Sequence, residues 1–222
     1  DRTYQILERL ELRNVIYAVN YYAAQYAADF SRRESLSPKL HYQKEGDSHG
    51  TDLKKIIDEY GTDSQYLVLT TDMYFEPEDL GAMLQGHKKG TMTWATAGIN
   101  GMKEMEEYRH LLSRDKVLLG FNNTKYRNRI QYSSDELTIR SGIVFIDPEL
   151  YIRGFNLFQR MTPKDAGVDL YKDIGMIITE MSRRFAARGG DPFAFTHEFK
   201  SPLIDYGSPQ RLELVRAHYQ HI

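Results

Sequence analysis

The sequence predicts an α/β fold, a Rossmann-like three-layer sandwich with a mostly parallel central sheet and a mixed or antiparallel lobe in its second half. Residues 66–69 form an apolar run without alternation, which is typical of a strand covered by helices on both faces. Helical and strand patterns alternate as far as about residue 100, which favours parallel strands joined by right-handed crossovers. Beyond that point strand patterns follow one another with short connections, which favours antiparallel pairing.

Composition narrows the class of protein. The 222 residues are 41% hydrophobic and 27% charged, which suits one globular domain with a substantial core. The formal net charge of -2 gives no reason to expect nucleic acid or an anionic membrane as a partner. The lack of cysteine excludes a disulfide framework, a thiolate zinc site and a cysteine nucleophile, and it is compatible with the cytoplasm, where we expect the protein. No apolar stretch approaches the roughly 18 residues that a membrane helix needs, and the N-terminal segment is too charged for a signal peptide.

Local signals support each element of the first half. Ile6 and Leu7 share one helical face. Thr51 or Asp52 can cap the helix that follows a polar loop, and Pro77 stands early in a helix with an acidic start. The predicted helices are 2–12, 22–30, 51–60 and 76–89, the predicted strands are 15–19, 40–43, 65–72 and 91–97, and the predicted polar loop is 44–50.

The second half predicts a different arrangement. Its predicted helices are 102–113, 148–158, 170–185 and one that starts at Pro209, its predicted strands are 116–121, 129–132, 137–146 and 193–199, and its predicted loop is 161–167. The pattern changes near residue 100 from alternating helices and strands to consecutive strands, which divides the chain into residues 1–100 and 101–222. Because no linker separates these halves, we expect a single continuous domain over residues 1–222.

Asp72 ends the apolar strand, which reads QYLVLTTD over residues 65–72. In open α/β sheets, ligands bind outside the carboxyl ends of the strands. Asp72 therefore stands where such a fold performs its chemistry. The alternative is a residue that only begins the next loop, since Asp favours turns.

Several segments carry motifs in a characteristic order. They are TYQILERLELR at 3–13, the strand at 15–21, Gly50-Thr51 before a helix and the Asp72 strand, RSGIVFIDPEL at 140–150, the segment 169–174, and IDYGSPQRL at 204–212. Together they resemble the sugar-1-phosphate nucleotidylyltransferases over nearly the whole chain. The resemblance implies that residues 1–100 form a nucleotide-side half and residues 101–222 a sugar-phosphate-side half.

The resemblance also implies a reaction. In that family an oxygen of a sugar 1-phosphate attacks the α-phosphorus of a nucleoside triphosphate, and pyrophosphate leaves. Two aspartates hold Mg²⁺ there, and Asp72 and Asp205 occupy those positions here. Mg²⁺ commonly binds through one or two carboxylates together with substrate phosphates, so these residue types suit the role. The alternative for Asp205 is a turn residue before Tyr206 and Gly207.

The remaining expected contacts also come from the resemblance. Gln43 matches a glutamine that reads the base, and Gly50 and Thr51 match a loop whose backbone approaches the nucleotide. The other implied substrate-binding residues are Lys125, Arg140 and Gly142. Lys125 lacks the Glu and Pro that accompany the family's lysine, and an exposed lysine is the alternative. Arg140 stands where the family commonly has Asn, which affects recognition of the sugar.

One family signature is missing from the sequence. The family has an N-terminal glycine-rich loop with Arg and Lys that binds the triphosphate, and such loops act through backbone N–H groups. We expect this loop to precede Asp1. Members of the family often assemble, so we also expect a homo-oligomer.

Two alternative functions stay open from the sequence. A catalytically silent relative could act as a regulatory or assembly subunit, but retention of both Asp72 and Asp205 favours an enzyme. A nucleotide-sugar-dependent glycosyltransferase usually carries an Asp-x-Asp metal motif, and Thr70-Thr71-Asp72 offers one carboxylate.

Overall fold

The computed structural model describes residues 2–12, 14–19, 39–44, 46–70, 73–97, 110–122, 136–160 and 174–205, together with positions 213 and 216. The chain divides into two compact units, Asp1–Gly61 and Thr62–Ile222. The expectation of one continuous domain with a division near residue 100 stays a prediction. No helix in the described ranges is long and apolar enough to cross a membrane.

The described part of the first unit contains two short parallel strands and two helices. Its elements are α1 (Arg2–Arg9), β1 (Ile16–Val19), β2 (Lys39–Tyr42) and α2 (His49–Tyr60). Strands β1 and β2 run parallel, from Ile16 opposite Lys39 to Val19 opposite Tyr42. The buried apolar side chains of this unit are Ile6, Leu7, Val19, Leu53, Ile56 and Ile57. The predicted helical face of α1 is therefore buried, as the spacing of its apolar residues indicates.

The second unit is built on a six-stranded sheet with the order β3-β8-β5-β9-β7-β6. Its strands are β3 (Tyr66–Leu69), β5 (Met92–Ala97), β6 (His110–Arg114), β7 (Val117–Asn122), β8 (Glu136–Ile146) and β9 (Ala194–Glu198). Strands β3, β5, β6 and β9 run in one direction, and β7 and β8 run in the other. The predicted α/β class with mostly parallel strands and an antiparallel part is confirmed. The long strand β8 lies between β3 and β5 and is antiparallel to both.

A network of hydrogen bonds holds β5 against β8 in the core. Trp94 is buried, and its Nε1 donates to the carbonyl oxygen of Ser141 at 2.8 Å. The Ser141 hydroxyl donates to the carbonyl oxygen of Ala95 at 2.6 Å. The register between the two strands shifts between Trp94 and Thr96, so these bonds satisfy groups at an irregular point of the ladder.

Three helices of the second unit are described: α3 (Pro77–Gly86), α4 (Pro148–Gln159) and α5 (Ile174–Ala186). Asp147 caps α4, since its Oδ1 accepts from the Leu150 N–H at 3.0 Å. Its Oδ2 accepts from the Gly90 N–H at 3.2 Å, which ties the start of β5 to the start of α4. The predicted helix start at Pro148 is therefore correct, with Asp147 as the N-cap residue and Pro148 in the first turn.

Some predicted elements differ from the structure. The predicted helix 102–113 is wrong from His110 onward, because His110–Arg114 forms β6 in a hairpin with β7. Asp115 and Lys116 form its tight turn with φ of 49° and 66°, a left-handed conformation typical of two-residue hairpins. Helix α3 ends at Gly86 and not at Lys89. The predicted elements 22–30, 129–132 and 161–167 lie outside the described residues, and the final predicted helix is described only at positions 213 and 216, which are helical.

Candidate functional site

A short antiparallel ladder brings two distant parts of the chain together. Strand β4 (Met73–Tyr74) pairs with β10 (Ile204–Asp205), with Ile204 opposite Tyr74 and Asp205 opposite Met73. Asp205 thus lies across from the residue that directly follows Asp72 in the chain. The fold therefore brings the position of Asp205 next to the chain segment that carries Asp72. Asp72 and the side chain of Asp205 are outside the described part, so their use as metal ligands stays a prediction.

Buried aromatic and aliphatic side chains stabilise this ladder. Tyr74, Phe75 and Ile204 are each buried, and Tyr74 and Ile204 belong to one cluster. The Tyr74 hydroxyl donates to the carboxylate of Glu76, the N-cap residue of α3. The ladder is therefore continuous with the start of α3.

A buried carboxylate lies near the same ladder. Asp79, in the first turn of α3, is 6% exposed. Its Oδ1 accepts from the Lys200 N–H at 3.0 Å, and its Oδ2 accepts from the Ser201 N–H at 2.9 Å. Asp79 therefore holds the segment that leads into β10. The sequence analysis did not single it out, and an acidic helix start offered no signal for a contact so distant in the chain.

Gly142 permits a close approach at the end of β3. The Thr70 N–H donates to the Gly142 carbonyl oxygen at 3.0 Å. A Cβ atom on residue 142 would overlap the Thr70 side chain. Gly142 therefore sets the path of the chain just before residues 71 and 72, and its predicted contact with substrate stays a prediction.

In the first unit, Gln43 contacts a buried carboxylate. Its Nε2 donates to Oδ2 of Asp52, whose side chain is 4% exposed. The second carboxylate oxygen, Oδ1, lies 4.0 Å from His41 Nε2. Burial raises the pKa of Asp52, and the hydrogen bond from Gln43 opposes this effect. Sequence reasoning treated Asp52 only as a helix cap and missed this contact.

Gly50 and Thr51 lie in the first turn of α2, so placing Gly50 in a loop was wrong. Ser48 is the N-cap residue, and neither Thr51 nor Asp52 takes that position. The Ser48 hydroxyl accepts from the Thr51 N–H at 3.2 Å, and the Thr51 hydroxyl accepts from the Ser48 N–H at 2.8 Å. This reciprocal capping box places the N-cap at Ser48, and the helix starts at His49, two residues earlier than predicted. It leaves the predicted nucleotide contacts of Gly50 and Thr51 as predictions.

Comparisons with known proteins agree with this architecture. No protein-family model matches the sequence, and no curated protein sequence matches it significantly. Many solved structures match, and the three described below match over almost the whole chain. A protein described as a glucose-1-phosphate thymidylyltransferase from Bacillus anthracis has a TM-score of 0.66 and 12% identity, covering 98% of this chain and 80% of that one. The inositol-1-phosphate CTP transferase from T. maritima has a TM-score of 0.63 and 10% identity, covering 94% and 76%. A UDP-glucose pyrophosphorylase has a TM-score of 0.62 and 14% identity, covering 99% and 86%.

The chain has the nucleotidyltransferase fold. At 10–14% identity the likeness to these three proteins establishes the fold alone. It confirms the architecture expected from the resemblance in sequence.

Two further residues that were predicted to bind the sugar phosphate have no described side chain. The backbone of Arg140 lies in β8 opposite Thr96, and Lys125 lies outside the described ranges. Their contacts with a sugar phosphate stay predictions.

The expected Mg²⁺ site at Asp72 and Asp205 stays a prediction. Within the described ranges, no group of three or more His, Asp or Glu side chains could hold a metal ion. Two carboxylates that complete their shell with substrate phosphates and water form the usual Mg²⁺ site in phosphate chemistry. The β4–β10 ladder, which places Asp205 opposite Met73, is compatible with such a pair at positions 72 and 205.

Proposed function

We propose that the protein is a nucleotidylyltransferase that couples a nucleoside triphosphate to a sugar 1-phosphate and releases pyrophosphate. The observation that carries this proposal is the pairing of Asp205 with Met73, the neighbour of Asp72. The nucleotidyltransferase fold supports it. Asp72 follows the carboxyl end of β3 in the chain, and in open α/β sheets ligands bind outside the carboxyl ends of the strands.

The proposed reaction is an in-line displacement at phosphorus. A phosphate oxygen of the sugar 1-phosphate forms a bond to the α-phosphorus, and the bond from that phosphorus to the bridging oxygen breaks. Pyrophosphate leaves with the electron pair. Reactions of this type need accurate positioning and neutralisation of charge more than covalent chemistry from the protein.

We propose distinct tasks for the predicted residues. Asp72 and Asp205 hold Mg²⁺, which when bound offsets the negative charge of the phosphoryl oxygens. Gln43, together with the start of α2 at Gly50 and Thr51, contacts the nucleotide. The residues proposed for the sugar phosphate are Lys125, Arg140 and Gly142.

Pyrophosphate release by the full-length protein tests the proposal. The common nucleoside triphosphates are combined with several sugar 1-phosphates, first with Mg²⁺ and then with EDTA. The Asp72→Asn and Asp205→Asn variants are each expected to lose at least about 100-fold in turnover while keeping the fold, because a catalytic metal contributes several kcal/mol. Matched controls are Asp63→Asn and Asp191→Asn, which alter exposed carboxylates of the same unit and are expected to leave turnover unchanged.

Three outcomes are decisive. Mg²⁺-dependent release with one substrate pair supports the proposal and names the base and the sugar together. A folded protein that binds nucleotide but releases no pyrophosphate with any pair favours a regulatory subunit. Wild-type turnover in either Asp72→Asn or Asp205→Asn removes that residue from the site.

A further inference from the structure

The buried carboxylate of Asp79 accepts hydrogen bonds from two consecutive backbone amides. Its oxygens accept from the N–H groups of Lys200 and Ser201 at 3.0 and 2.9 Å, and the side chain is 6% exposed. Burial of a carboxylate is costly unless hydrogen bonds or a cation compensate for the lost hydration. Among the described residues Asp79 forms no ion pair, so the two amides provide that compensation. Hydrogen bonds to a charged acceptor are stronger than bonds between neutral groups.

This contact joins the same two chain segments as the β4–β10 ladder. Asp79 follows β4 by five residues within one continuous segment, and Lys200 precedes β10 by four. The buried Leu203 lies between the two points of attachment on the C-terminal side. The segment that leads to Asp205 is thus held at its beginning by Asp79 and at its end by Met73.

A ladder of two residue pairs cannot define its own register well. Short isolated strand pairs are marginally stable, and a slip of one residue turns every side chain to the opposite face. Such a slip would carry the Asp205 side chain to the other face of the ladder. The hydrogen bonds of Asp79 to Lys200 and Ser201, a few residues before β10, restrict the movement of this segment and so oppose the slip.

We propose that Asp79 is a positioning residue that holds Asp205 in register opposite Met73. This inference rests on the proposed function, in which Asp205 is a metal ligand. Because both carboxylate oxygens of Asp79 accept backbone hydrogen bonds, we assign it no contact with the metal or the substrates. A purely structural alternative exists, because an acidic residue in the first turn of a helix also interacts favourably with the helix dipole.

The test compares Asp79→Asn with Glu78→Gln in the full-length protein. Asparagine offers one acceptor, and its amide group would face the second N–H. Glu78 is the exposed neighbour in the same helical turn, so its change serves as the control for helix charge. The readouts are hydrogen–deuterium exchange of peptides covering 199–205 and the affinity for Mn²⁺ in the presence of nucleotide, measured by electron paramagnetic resonance.

For Asp79→Asn, we expect faster exchange over 199–205 and Mn²⁺ affinity lower by about 10- to 100-fold, the usual effect of losing an outer contact that orients a ligand. Glu78→Gln should change neither. Unchanged exchange, or unchanged Mn²⁺ affinity with only a lower Tm, would overturn the proposal. If Asp79→Asn does not fold, Asp79→Ser, which keeps one uncharged acceptor, is judged by the same two readouts.

The same experiment separates this inference from the proposed function. A wild-type protein that binds no Mn²⁺ with any nucleotide contradicts the proposed function. The exchange rates over 199–205 would still decide whether Asp79 holds that segment in place.

Discussion

At the scale of single residues, Gly142 marks a close approach of β8 to the end of β3. Substitution by Ala would place a methyl group against the Thr70 side chain. We expect Gly142→Ala to lower the free energy of unfolding by about 1–3 kcal/mol, the usual cost of overpacking. Turnover should fall as well, because Thr70 lies two residues before Asp72. Urea unfolding measures the first effect and pyrophosphate release the second.

The matched control is Gly86→Ala at the end of α3. A Cβ atom there would meet no neighbour within 4 Å. We expect no loss of stability in this variant, since Ala favours helix more than Gly does. Equal stability of the two variants would contradict the close approach at Gly142.

A second residue-scale prediction concerns Gln43. An ionised carboxylate only accepts hydrogen bonds, so Asp52 directs the Gln43 NH₂ group toward itself. In the proposed function, the carbonyl oxygen of Gln43 is then the atom that contacts the nucleotide. In Asp52→Asn, either end of the Gln43 amide can face residue 52. We expect discrimination among nucleoside triphosphates to weaken by about fivefold, which corresponds to one hydrogen bond of about 1 kcal/mol.

Calorimetric binding of the triphosphate panel measures this change. The control is Asp58→Asn, which alters an exposed carboxylate on the same helix that pairs with Lys54. An unchanged order and ratio of affinities in Asp52→Asn would show that Asp52 does not orient Gln43 for binding.

At the scale of elements, helices α4 and α5 approach each other at Gly154. A Cβ atom on residue 154 would overlap Ile177 and Met181 of α5. We expect Gly154→Ala to lower the free energy of unfolding by about 1–3 kcal/mol. Gly154→Ala should cost less unfolding free energy in a Met181→Ala background than in the wild type, because the shorter side chain at residue 181 makes room for the added methyl group. Additive effects in denaturant unfolding would contradict direct packing at this point.

The elements also show which parts of the fold a sequence can predict. Strand β3, the start of α3 at Pro77 and the start of α4 at Pro148 were predicted because their signals are local. Strand β6 was missed because Asp115-Lys116 takes a left-handed turn without the Asn-Gly or Asp-Gly pair that usually marks one. The place of β8 between β3 and β5 depends on contacts far apart in sequence, so no local pattern indicates it.

In the candidate site, too, residues with a sequence motif were predicted and residues placed by tertiary contacts were not. Asp72 and Asp205 were identified by motif, and their role as metal ligands stays a prediction. The structure shows that the backbone of Asp205 lies opposite Met73. Asp79 and Asp52 were not predicted as site residues. Their contacts are made by tertiary folding, and an isolated acidic residue in a helix is ordinary in sequence.

At the scale of the whole molecule, the pH dependence of stability should show a contribution from half-buried His87. Its Nδ1 lies 2.8 Å from the Thr93 hydroxyl, its ring packs edge-on against Phe145, and burial lowers its pKa from 6.5 to about 4. The folded state therefore excludes a proton that the unfolded state accepts. The unfolding free energy should fall as the pH drops from about 6.5 to about 4, and this contribution should be complete below that range.

The variant His87→Asn keeps a polar group beside Thr93 and removes the titration. We expect its unfolding free energy to fall less than that of the wild type over the same pH range. His49→Gln serves as the control and should follow the wild type. Parallel pH profiles for the wild type and His87→Asn would contradict the prediction.

The β4–β10 ladder has a consequence for the timing of synthesis. More than half of the sequence separates Met73 from Asp205, so the two strands meet only after β10 has left the ribosome. Domains form as the chain emerges, and distant contacts are the slow ones. Every nascent chain that stops before β10 lacks the second carboxylate of the proposed metal pair. The growing polypeptide would therefore gain its proposed activity only after β10 has been synthesised.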